Sequence, residues 1–111
     1  MEQDQILMHR REGVIKPHYR IANRHDFETQ LSLRSKNSGL RSFTYGQFHS
    51  GHSTNERLEL EFTRHRIIIH GSNLDILQWA ISKSRLSYLR ETTVADNLEE
   101  GEPVVREICL V

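Results

Sequence analysis

The chain has 111 residues, 36% hydrophobic and 27% charged, which is the size of one domain with a modest core. Fifteen Lys and Arg balance fifteen Asp and Glu, arguing against a strongly basic nucleic-acid protein and against an acidic, solvating chain. One cysteine cannot form an internal disulfide and points to a reducing cytoplasm. No run approaches the ~18 apolar residues of a membrane span, and the polar start Met1-Glu2-Gln3-Asp4-Gln5 is not expected to act as a signal peptide.

Charge is uneven along the chain. Residues 1–41 hold eight basic and five acidic groups (+3), residues 42–90 six and four (+2), and residues 91–111 one and six (−5). Twelve of the fifteen basic residues are Arg, the type suited to bidentate polar contacts. The plain expectation is a solvated surface whose two ends attract.

In chain order, residues 1–39 read as an N-terminal arm or irregular segment, partly disordered over about the first 18 residues. Pro17 interrupts any helix there, and a short helix is expected between Arg20 and Leu33, capped by Asn23 or Asp26. Asn37-Ser38-Gly39 is a turn or linker signal. Residues 40–111 read as the folded domain. Leu40 to Phe48 is rich in strand formers, with Phe43 and Tyr45 on one face and Gly46 at a bulge. His49 to Glu56, with its Ser, Gly and Asn, reads as a turn.

Arg57 to Thr63 alternates, with Leu58, Leu60 and Phe62 inward against Glu59 and Glu61. The β-branched run Ile67-Ile68-Ile69 returns as its partner. The apolar pattern selects a hairpin of even register, pairing Phe62 with Ile67 and Leu60 with Ile69 and leaving Glu59 opposite His70. Gly71-Ser72-Asn73 reads as strand exit and helix cap, with Asp75 in the first turn. Leu74, Leu77 and Ile81 share the helix face that packs on the sheet, and the helix ends near Ser84. Leu86 to Thr92 and Val104 to Val111 read as two more strands, the first turning Tyr88 inward and the second Ile108 and Leu110, with an acidic loop from Asp96 to Pro103 between them. The fold class is therefore α+β: a small antiparallel sheet of order β-β-β-α-β-β with one helix on a face.

Chemistry is sparse. Seven histidines are many for this length, but His49, His52 and His70 lack a recognised zinc spacing and a partner cysteine pair, so no metal ligand set and no cofactor is expected. There is no glycine-rich phosphate loop, no G-x-S-x-G turn and no H-E-x-x-H helix. Cys109 in the last strand reads as a structural thiol. Glu59 and Glu61 share a strand face, as is common on the wet side of a hairpin. No catalytic residue is expected.

Two binding readings stand apart. Arg10, Arg11, Lys16, Arg20 and Arg24, with His18 and Tyr19 among them, form a basic arm suited to nucleic-acid phosphates and to stacking a base. Phe43, Tyr45 and Phe48 have the outline of a single-strand platform, without its sequence pattern. Against this, Ile76 and Trp79 lie on the helix face turned from the sheet, where apolar side chains mark a contact surface. The expected function is a small non-catalytic protein–protein interaction module that pairs with itself as a homodimer, and the alternative is a nucleic-acid-binding accessory protein. No membrane partner is expected.

Overall fold

The computed structural model describes residues 13–111. Of the arm expected to be partly disordered to about residue 18, residues 1–12, with Arg10 and Arg11, lie outside that range, whereas the rest is ordered, with a strand at Val14–Ile15 and His18 buried. In order, the elements are β1 (Val14–Ile15), β2 (Tyr19–Ile21), β3 (Gln30–Ser35), β4 (Gly39–Thr44), β5 (Phe48–Thr54), β6 (Arg57–Phe62), β7 (Arg66–Ser72), α1 (Asp75–Ser82), β8 (Leu86–Arg90) and β9 (Val104–Leu110). Single 3-10 turns lie at Tyr45–Gln47 and Val94–Asp96. The mixed α+β class holds, but one small sheet does not. There are two sheets, of order β1-β2-β8-β3-β4 and β5-β6-β7-β9. All pairings are antiparallel except β3 with β8.

Both sheets and α1 bury side chains in a single apolar cluster, which includes Leu31, Leu33, Leu58, Leu60, Ile67, Ile69, Leu77, Ile81, Leu89 and Ile108. The expected helix between Arg20 and Leu33 is replaced by strands. Tyr19 and Ile21, then Leu31 and Leu33, are buried alternately, and such period-two burial suits a strand that faces a core on one side. The Asn37-Ser38-Gly39 signal is the turn of the β3–β4 hairpin, where Gly39 takes φ +68°. The three-residue loop 36–38 is followed there by a left-handed position, which glycine favours.

His49 to Thr54 is strand β5 and not a turn. Its residues after Phe48 are small or polar, and it meets α1 through polar contacts: Gln78 Nε2 donates to the Gly51 carbonyl at 3.2 Å, and Gln78 also pairs with Ser53. The β6–β7 hairpin keeps the expected faces in a different register. Leu60 opposes Ile67, Leu58 opposes Ile69 and Arg57 opposes His70. Phe62 and His65 exchange backbone hydrogen bonds of 2.8 and 3.3 Å, so the loop is Thr63-Arg64. The displacement is two residues, and an even shift leaves every side chain on its own face. Phe62 packs on Phe43 and Phe48, with ring centroids 5.4 and 5.3 Å away. Glu59 stands beside Ile68 and His52, not His70.

Tyr88 is also displaced from its expected place. The β2–β8 pairing slips between Arg20 and Ile21, so Leu86 and Leu89 both turn inward and Tyr88 lies under the Arg20 guanidinium, 5.4 Å from its ring centre. The α1 stripe is as expected, with Leu74, Leu77, Ala80 and Ile81 buried. Among the described residues no helix is long and apolar enough to cross a membrane.

Candidate functional site

Four strands lie at sheet edges, and three of them are shielded in identifiable ways. β1 has only two residues. β5 lies under α1 through Gln78. β9 meets the segment after β8: Thr92 N–H donates to the Val105 carbonyl at 2.7 Å, and the Val105 N–H donates to Thr92 Oγ1 at 2.8 Å. The fourth, β4, pairs with β3 in unbroken register from Gln30↔Thr44 to Ser35↔Gly39, and no other described strand pairs with it. It has no bulge and no proline. Tyr45 N–H bonds the Thr29 carbonyl at 2.9 Å. Because bonded and non-bonded pairs alternate in an antiparallel ladder, Leu40, Ser42 and Thr44 direct their N–H and C=O groups away from β3. Leu40 is itself 51% exposed.

A second feature lies on the outer face of the four-stranded sheet. His70 on β7 opposes Glu107 on β9, and Cys109 opposes Ile68 one pleat along. A ligand atom from each of His70, Glu107 and Cys109 lies within 4.8 Å of the others. Burial and the Glu107 carboxylate beside it push the Cys109 thiol up. On the same face the Arg57 guanidinium hydrogen-bonds Glu59 and holds its carboxyl below the usual range, the reverse of what a general acid at neutral pH needs.

No family model, no curated protein and no solved structure matches this chain. Its surfaces are therefore read on their own chemistry.

The histidines considered together in sequence are dispersed. His49 contacts Thr63 Oγ1 at 3.0 Å, and among the described residues only His70 joins a group with ligand geometry. The signal for that group was available only through the β7–β9 pairing, because Glu107 and Cys109 lie far from His70 in the chain. Cys109 is half-buried on the outer face rather than enclosed.

Of the basic arm, Lys16 pairs with Glu102 at 3.1 Å, Arg20 covers Tyr88, and Arg24 is exposed. His18 and Tyr19 are each 1% exposed, so neither offers a ring to a base. Phe43 is buried, and Tyr45 and Phe48 are partly buried against the core. Of these aromatics, His18, Tyr19 and Phe43 are enclosed in the fold, while Tyr45 and Phe48 keep partial exposure. Ile76 and Trp79 are partly buried and packed against the core, and the Arg85 guanidinium lies 4.9 Å over the Trp79 ring.

Proposed function

We propose that this protein is a small non-catalytic module of the reducing cytoplasm that works by protein–protein contact, pairing with a second copy of itself along β4. The observation that carries this reading is the uncovered, regular edge presented by Leu40, Ser42 and Thr44. Natural sheets blunt such edges with bulges, prolines or covering segments because unpaired backbone groups recruit another strand. Among the described residues the other three edges are shielded and this one is not.

The edge is self-complementary. Set antiparallel about a two-fold axis at Ser42, each copy's Leu40 stands opposite the other's Thr44. Three residues, each donating and accepting once, make six hydrogen bonds (3 × 2). On the other face the Arg41 stem lies beside the partner's Phe43. The contact is narrow, and its dissociation constant is expected on the order of micromolar or weaker. Ile76 and Trp79 are the lesser candidates for the contact, since each already has partners within its own chain.

Sedimentation velocity across a concentration series tests this. The wild type should pass from monomer to dimer. Ser42→Pro should remain monomeric and stay folded, losing only the exposed hydroxyl contact to Ser32 at 2.9 Å, because the N–H it removes points away from β3, the position where an edge strand tolerates proline. A wild type that stays monomeric to about 1 mM, or a Ser42→Pro variant that dimerises equally well, overturns the proposal.

A further inference from the structure

We propose that His70, Glu107 and Cys109 bind a zinc ion on the outer face of the four-stranded sheet. The argument starts from the ladder. His70 and Glu107 are cross-strand partners, and Cys109 is two residues beyond Glu107 on the same strand. Side chains alternate with period two, so the backbone alone places all three on one face. Their ligand atoms already lie within 4.8 Å of one another. A tetrahedral ion with bonds of about 2.0–2.3 Å needs donors roughly 3.3–3.8 Å apart. Closing that gap takes about 1 Å of side-chain rotation on strands that need not move.

The ladder is irregular at this point. The β7–β9 register shifts between His70 and Gly71, and a Cβ on Gly71 would overlap the Val104 carbonyl. Bulges re-aim the side chain beside them and concentrate next to functional sites. This one sits next to the histidine.

The donor set selects the ion. Imidazole nitrogen, carboxylate oxygen and thiolate sulfur together suit borderline-soft zinc and disfavour magnesium or calcium, which take oxygen alone. The charged neighbours permit it. Among the described residues no Lys or Arg forms an ion pair with Glu107, Arg57 is engaged by Glu59 and Arg106 by Glu56. Three protein ligands leave the fourth position open to water on a solvent-facing sheet. This site lies on the opposite sheet from β4 and stands independently of self-pairing.

Cobalt titration of the full chain, with zinc as competitor, tests the assignment. One equivalent of Co2+ should give tetrahedral d–d bands with a thiolate-to-cobalt charge-transfer band, both lost on adding zinc. Cys109→Ser should remove the charge-transfer band. His70→Asn and Glu107→Gln should each weaken binding, the histidine change by more than the 10–100-fold typical of outer-shell partners. His49→Asn and His52→Asn should leave the spectrum unchanged. Absence of a thiolate band in the wild type overturns the proposal, and so does a wild-type spectrum that survives His70→Asn.

Discussion

Glu91 reaches from the end of β8 across to β9, its Oε2 accepting the Ile108 N–H at 3.0 Å. Its Oε1 accepts the Lys36 N–H at 2.9 Å. A single carboxylate, 6% exposed, therefore joins the β3–β4 turn, the exit of β8 and the middle of β9, and it ties one sheet to the other. Removing it strands two backbone donors, and an unsatisfied buried donor costs about 1–3 kcal/mol. Glu91→Ala should lower unfolding stability by about 2–4 kcal/mol in urea titration. Glu91→Gln keeps one acceptor and should cost less. Equal losses would mean that the carboxylate packs there but does not bridge.

The chain's acid sensitivity should centre on Asp96. Both its oxygens take the Arg90 guanidinium, at 2.9 and 2.6 Å, and Oδ2 also accepts the Thr93 N–H at 2.8 Å. The Arg90 hydrogen bonds outweigh burial and hold the carboxyl at about 2, from an ordinary 3.8. A carboxyl whose folded pKa is depressed contributes stability that is fully present above the unfolded value and lost as pH falls through the folded one. Thermal melts of the wild type should therefore lose this contribution from just below pH 4 towards pH 2. Asp96→Asn should be less stable by about 2 kcal/mol at pH 7, and the difference should shrink across that window. A constant difference from pH 7 to pH 2 would assign the loss to packing.

Much of the chain's second half was legible because its burial is one-sided. Alternation in Arg57–Phe62 and the Ile67–Ile69 run assigned faces correctly even though the register was off by two residues, since parity and not register decides which side is wet. The first half was obscure for the complementary reason. β2 and β3 bury only two apolar residues each, set among polar ones, and β5 has one apolar residue, Phe48, its contact to α1 being the hydrogen bonds of Gln78. Tyr88 was misassigned where pairing slips, and no periodic argument can detect a bulge. The same limit hid the grouping of His70 with Glu107 and Cys109 and the exposure of β4, since both depend on which strands become neighbours.

The hairpin faces can be checked with two adjacent substitutions. Ile67 is fully buried opposite Leu60, whereas Ile68 is half-buried on the outer face opposite Glu59. Ile67→Glu places an unpaired charge in the core and should leave the chain unfolded, because such burial is among the largest single-site penalties. Ile68→Lys sets a cation opposite Glu59 and should cost less than about 1 kcal/mol. Circular dichroism separates them. A folded Ile67→Glu protein would be incompatible with this packing.

Trp79 carries the remaining prediction, because it decides between two ways of covering a helix face. The indole is partly buried against the core. Over it lies Arg85, itself 5% exposed, whose Nε and Nη2 donate to the Ala22 carbonyl at 2.9 and 2.7 Å. A guanidinium over an indole is a favourable cation–π contact, and here it also links α1 to the strand β2 that precedes Ala22. The ring is therefore held by its own chain. Trp79→Ala removes apolar contact and leaves the buried Arg85 without its stacking partner. The cost should be about 2–3 kcal/mol, below the 3–5 of a fully buried aromatic, and should appear as a fall in melting temperature of roughly 10 °C or more. Molecular mass by light scattering should not change, and self-association through β4 should persist. A Trp79→Ala protein that melts like the wild type but becomes strictly monomeric would move the self-contact from the sheet edge to the helix, with Ile76 and Trp79 as its centre.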